Sequence, residues 1–344
     1  MFDTNYKIRV RNKFLKYSAK SNCFLALIKI TGFIGRDIAN AILLAIPRHS
    51  HPTHSKLKDI LFLEPFKQGY GDLLFQTSVF ESLKAQGYRV SVVIQQNHLP
   101  IIENSPCINE IFFWNDPKTL LKLPFKQFTH IAFLGRDTIR ETLFGLAFVK
   151  AQKIILDENL SKWIDLFSQN HSRAWLELLK TYFDQNLNWK EPKIYLGPTS
   201  PTPTPESIRV AIIVGVNSEE KRLKNMPQIL HGLRNTENVR YILVGASDSI
   251  YASHFNEFNE PQFSNLINKL DYRETINLLA EIDAVIGTEG SLVHVGLAFH
   301  KPTIVLDNQG IFWRQSWLQS DEIVRVLTQD FSANRIKAEL SSLI

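Results

Sequence analysis

The chain has 344 residues, 44% of them hydrophobic and 21% charged. That balance suits a soluble α/β protein, and the length favours two domains. Two cysteines, Cys23 and Cys107, exclude a disulfide framework and fit a reducing compartment. The net charge of +5 is unevenly placed. Residues 1–59 hold eleven Lys/Arg against three acids, +8, which leaves −3 on residues 60–344. The basic character is therefore local, and no nucleic-acid partner is expected for the body of the chain.

Residues 1–57 read as a basic amphipathic N-terminal extension, helical in part. Its apolar runs, Cys23–Ile28 and Ile38–Ile46, fall short of the roughly 20 residues that a membrane span needs. No cleaved signal is evident. Two readings stay open. Residues 1–50 lie on an anionic membrane surface, or they pack as a helical pair on the body. His49, His51 and His54 sit among prolines and read as linker rather than metal site.

A β-then-α rhythm follows. Strands are expected at 59–63, 89–95, 108–114, 130–134 and 153–156, with helices at 71–86 and 163–183. Near-continuous apolar strands separated by helices imply a parallel sheet covered on both faces. The stretch 196–207, LGPTSPTPTPES, is a Pro-rich linker. A second series then gives strands at 209–214, 240–244, 265–270, 284–286 and 303–306. Its helices are expected at 226–234, 273–281, 291–299 and 332–340. The expected domains are 58–195 and 208–344, two Rossmann-like, doubly wound units facing a cleft at the carboxyl ends of their sheets.

Three turns carry candidate chemistry. After the first strand comes Glu64-Pro65-Phe66-Lys67-Gln68-Gly69-Tyr70-Gly71-Asp72. Gly69 and Gly71 suit a tight turn and close ligand approach. Asp72, at the helix start, is placed to take a proton from an incoming hydroxyl, or is simply a helix-start acid. After the first strand of the second series comes Asn217-Ser218, then Lys221, Arg222 and Lys224 before Pro227. The cations could meet a diphosphate or belong to a solvated loop. The third turn, Gly287-Thr288-Glu289-Gly290-Ser291, joins a strand to a helix that carries His294. Unpaired backbone N–H groups at such a helix start suit a phosphate, so an anionic, nucleotide-like ligand is expected. A plain strand-to-helix turn with Ser as cap is the competing reading.

Together these turns resemble glycosyltransferase family 9, the heptosyltransferase-like enzymes of lipopolysaccharide core synthesis. The matching elements, in order, are Gly71-Asp72 before a helix, Lys224-Asn225-Met226-Pro227, and Glu289-Gly290-Ser291-Leu292-Val293-His294 followed by Pro302-Thr303 and a strand. The resemblance spans about residues 58–310. It implies a GT-B fold and an inverting, metal-independent sugar transfer with no cofactor. The donor would be a nucleotide-diphosphate sugar, for which an ADP-linked heptose is a candidate. The acceptor would be a lipid-linked or surface glycan, met at the inner face of the cytoplasmic membrane. Carried onto this chain, Asp72 would be the general base, with Lys67, Gly69 and Gly71 on the acceptor side. Asn217, Ser218, Lys224, Glu289, Gly290 and Ser291 would hold the donor, and His294 would contact it or support the turn.

The chain departs from the family where Met226 replaces Trp, Glu289 replaces Asp, and Gly and Ser are exchanged beside it. KQGYGD also departs from the usual Ser-x-x-Gly-Asp. Two alternatives stand beside the transferase: another GT-B nucleotide-sugar enzyme such as an epimerase, and a non-catalytic nucleotide-sugar-binding protein.

Overall fold

The computed structural model of the chain describes residues 58–64, 69–126, 128–134, 152–156, 176–177, 179–180, 187–197, 207–214, 222–308 and 322–344. The N-terminal extension, most of the Pro-rich linker, most of the expected helix 163–183, and Lys67, Asn217, Ser218 and Lys221 lie outside the described residues. The strands are β1 (Asp59–Leu63), β2 (Arg89–Ile94), β3 (Ile108–Phe113), β4 (His130–Leu134), β5 (Gln152–Leu156) and β6 (Ile208–Ile213). They continue with β7 (Val239–Val244), β8 (Phe263–Asn265), β9 (Ala284–Thr288), β10 (Thr303–Leu306) and β11 (Val324–Leu327). The helices are α1 (Tyr70–Ala85), α2 (Leu99–Ile102), α3 (Pro117–Lys122), α4 (Met226–Leu233), α5 (Ser249–Ser253), α6 (Tyr272–Glu281), α7 (Ser291–Ala298) and α8 (Ala333–Leu343). Among the described residues, no helix is long and apolar enough to cross a membrane.

The chain forms two compact units. The described part of the first comprises residues 58–64, 87–95, 109–126, 128–134 and 152–156. It holds a sheet of order β3-β2-β1-β4-β5. β1 pairs in parallel with β2 and β4, setting Ile60 opposite Val90 and His130. Leu61, Leu63, Val93 and Ile131 from the strands meet Trp114 and Leu123 in a buried cluster. At the carboxyl end of β1 the buried Glu64 accepts the Gln95 N–H at 2.9 Å, and its carbonyl accepts the Trp114 indole N–H at 2.8 Å. Asp116 caps α3: its carboxyl accepts the Thr119 hydroxyl at 2.5 Å and the Thr119 N–H at 3.2 Å, which together hold it below the usual carboxylate range.

The second unit joins residues 69–86 and 96–108 to the described residues of the C-terminal half. Its sheet runs β11-β10-β9-β6-β7-β8, every neighbouring pair parallel. Counted from β6, this is the 3-2-1-4-5-6 order of a Rossmann sheet, and the first sheet follows the same order through its five strands. The order reverses between β6 and β9, so a switch point lies at their carboxyl ends. Tyr241, Phe255, Phe258 and Phe263 fill the core around β7 and β8.

Local signals start the helices. Asp271 and Glu274 form a reciprocal capping box on α6. Asp248 caps α5 and Ser332 caps α8. Pro227 opens α4, where its missing N–H costs nothing.

Most expected elements are present within a residue or two. β8 is a correction. It occupies 263–265, whereas 265–270 was expected. The following residues turn instead, with Asn268 at φ 59° and the Asn265 carboxamide accepting the Ile267 N–H. Ile267 still enters the core, which is why its surroundings read as a strand. β11 was not expected from the sequence. It pairs with β10 through Val324 opposite Thr303 and Leu327 opposite Leu306.

Candidate functional site

The site is built on β9 and α7, at the switch point of the second sheet. β9, AVIGT, is buried along its whole length. Glycine is required here by close approach. A methyl group at Gly287 would come within 2.8 Å of Ile213 Cβ, and one at Gly296 within 2.7 Å of Val285 Cγ2. These two glycines let β9 lie against β6 and α7 lie against β9, which fixes the turn between them.

That turn is Glu289-Gly290. Gly290 is the N-cap of α7 in extended backbone (φ 173°, ψ 174°), and no side chain caps this end. Gly290 thus offers α7 no side-chain cap of the kind that Asp271 supplies to α6. Glu289 is 5% exposed and His294 2%. His294, one turn into α7, brings Nε2 to 3.5 Å from Glu289 Oε1. The Phe75 ring of α1 meets the imidazole edge-on, with centroids 4.9 Å apart at 74°. His294 therefore packs between an aromatic ring and the Glu289 carboxylate. The hydroxyl of Thr288, just before the turn, is buried without a hydrogen-bond partner among the described residues.

The start of α1 meets the start of α7. A methyl group at Gly71 would lie 3.6 Å from Ser291 Cα, an ordinary van der Waals contact. Asp72, the next residue, is exposed, and its Oδ2 accepts the Gly69 N–H at 3.1 Å. This is half a capping box, since Gly69 has no side chain to return the bond. Gly69 itself adopts φ −84° and ψ 159°, open to any residue.

A third helix start reaches the same place. Tyr70 opens α1 and Tyr272 opens α6, and their rings stack with centroids 3.7 Å apart at 17°. Asn97 Nδ2 donates to the Tyr70 hydroxyl at 3.1 Å, and the His98 ring tilts against Tyr70 at 4.6 Å. The Tyr272 hydroxyl is shut from solvent beside Ser291, without a well-formed hydrogen bond. Burial pushes its phenol far above the ordinary range, so it remains a neutral donor. Three helix N-termini, carrying Asp72, Tyr272 and Ser291, thus converge within one compact unit. Neither tyrosine was singled out by the sequence reading. The visible signal was Tyr70 between two glycines, and no motif pointed to Tyr272.

Lys224 lies elsewhere in this unit. It is exposed and lines a cavity of about 740 Å³ with Gln228, His231, Tyr251, His254 and Asn256, while no residue of the Glu289–His294 turn lines that cavity. Arg222 is engaged locally, 2.6 Å from Asp248 Oδ2 and over the Tyr251 ring at 4.9 Å. Among the described residues, no group of three or more His, Cys, Asp or Glu is arranged to hold a metal ion.

No protein-family model matches the chain, and no curated protein matches it by sequence. Solved structures do match. The ADP-heptose lipopolysaccharide heptosyltransferase II of E. coli aligns over 83% of this chain and 98% of its own, with 16% identity and a TM-score of 0.64. A family 9 glycosyl transferase of Veillonella parvula aligns over 83% and 90%, with 14% identity and a TM-score of 0.64. The E. coli heptosyltransferase WaaC with ADP-2-deoxy-2-fluoro heptose aligns over 83% and 100%, with 13% identity and a TM-score of 0.54. The chain shares the GT-B fold of these solved glycosyltransferases, the fold its turn motifs led us to expect.

Proposed function

We propose that the chain is an inverting glycosyltransferase. It would move a sugar from a nucleotide-diphosphate donor to a lipid-linked or surface glycan, at the inner face of the cytoplasmic membrane. The observation that supports the reading is the approach of Gly71, the residue before Asp72, to Ser291 at the start of α7, whose N-cap is the side-chain-less Gly290. The Asp72 carboxylate can take a proton, and the helix start can receive negative charge.

The chemistry follows from that pairing. Asp72 accepts the proton of the acceptor hydroxyl as its oxygen attacks the anomeric carbon. The bond from that carbon to the diphosphate breaks on the opposite face, which inverts the centre. The electron pair leaves with the nucleoside diphosphate. The N–H groups at the Gly290-Ser291 helix start meet this charge where it builds, aided by the helix dipole. Glu289, with His294 packed beside it, would accept hydrogen bonds from sugar hydroxyls. Lys224, Asn217 and Ser218 are proposed to hold donor phosphates. WaaC has been solved with ADP and with an ADP-heptose analogue, so ADP-heptose is the first donor to test. The reading invokes no metal or cofactor.

The test is Asp72→Asn. Transfer from a labelled ADP-sugar should fall by roughly 10²- to 10⁴-fold, the usual contribution of a general base. Donor binding measured by calorimetry should stay within a few-fold of the parent. Unchanged turnover would remove Asp72 from the mechanism. Rearranged sugar without transfer would point to an epimerase.

A further inference from the structure

The first unit carries a surface that no part of the donor chemistry uses. Two of the four large hydrophobic side chains exposed among the described residues are Leu121 (74%) and Phe125 (87%), four residues apart. They stand on α3 and the 3₁₀ turn after it, Leu123–Phe125. Lys118, Lys122 and Lys126 recur at the same spacing, and all three are exposed. The segment is firmly seated. Leu120, Leu123 and Phe128 are buried in the sheet's core cluster, and Asp116 locks the helix start through Thr119. The outward pair therefore cannot turn inward to escape water.

We propose that this ridge is a docking surface for an anionic lipid bilayer. Leu121 and Phe125 would insert at the headgroup–acyl boundary, while Lys118 and Lys122 meet lipid phosphates. Charge complementarity favours a membrane. Residues 114–128 hold three lysines against one acid, Asp116, whose carboxylate is occupied by Thr119. Lys126 is partly answered by Glu110 at 2.7 Å and rests over the Phe112 ring, so Lys118 and Lys122 carry the electrostatic part. Two exposed apolar side chains flanked by lysines fit a fluid, laterally uniform anionic partner. The proposal is independent of the sugar transfer.

The test is co-sedimentation of the full chain with vesicles of phosphatidylcholine, alone and with phosphatidylglycerol added. The chain should bind the mixed vesicles. Leu121→Ser with Phe125→Ser should weaken binding about tenfold or more, as expected when two large side chains no longer leave water. Lys118→Gln with Lys122→Gln should weaken it too and flatten its salt dependence. Ile250→Ser, which alters an exposed apolar residue of the other unit, should change nothing. All variants replace exposed side chains, and unchanged melting temperatures check that they fold. Parent-like binding by the apolar double variant overturns the proposal, whatever the basic extension contributes. So does failure of the full chain to bind anionic vesicles, the outcome if the ridge meets an acidic protein.

Discussion

At the scale of single residues, the turn after β9 combines buried polar groups that a core would ordinarily exclude. Glu289 Oε1 and His294 Nε2 lie 3.5 Å apart. Thr288 Oγ1 has no partner among the described residues, and an unmet buried hydroxyl costs roughly 1–3 kcal/mol. Thr288→Val removes that hydroxyl while keeping the branched shape. We expect thermal denaturation to show a melting temperature unchanged or raised, by roughly 2–4 °C for each 1 kcal/mol recovered. A clear fall would mean that the hydroxyl is bonded in solution. The carboxylate at 289 was legible in the sequence as a departure from the family's Asp. That His294 lies beside it, rather than reaching solvent, follows only from the packing of Phe75 on the imidazole.

At the scale of elements, the apolar strands and polar caps were readable because each states its own rule. β1, β4 and β10 lie where an uninterrupted apolar run predicts them. The weak points were short segments whose identity depends on neighbours. Val324–Leu327 becomes a strand because β10 offers it an edge. The residues after Asn265 turn because their own side chains satisfy the backbone. The packing of α7 on β9 yields a sharp prediction. At Gly296 even a methyl group would collide with Val285 at 2.7 Å, so Gly296→Val should overpack the interface and destabilise by about 1–3 kcal/mol. Chemical denaturation measures this. Stability equal to the parent would mean that α7 shifts freely, and the anion seat would then not be rigid.

At the scale of the whole molecule, charge is sorted along the chain. The first 59 residues carry +8 and the remainder −3. If the extension holds an anionic membrane, a chain beginning at residue 51 should bind anionic vesicles more weakly than the full chain and with a shallower salt dependence. Equal binding by both forms would assign the extension to another role and leave the α3 ridge as the membrane contact. Screening nucleoside diphosphates by thermal shift tests the donor seat at this same scale. A true ligand at about 100 times its Kd should add about 2.7 kcal/mol of apparent stability.

The sequence by itself determined the α/β class, the parallel strands and the helix starts, because apolar periodicity and capping are local rules. It also marked Asp72, Glu289 and Ser291 as candidates, since polar residues at a strand-to-helix turn either cap the helix or meet a ligand. Only the tertiary structure decided which of them meet. The 3-2-1-4-5-6 order carries β9 to the switch point, and the Gly71–Ser291 approach joins two helix starts more than 200 residues apart. The stack of Tyr70 on Tyr272 and the exposure of Leu121 and Phe125 were likewise invisible in the chain. An aromatic or aliphatic residue carries no local sign of the surface it will meet. That is set by long-range packing, which a linear pattern does not encode.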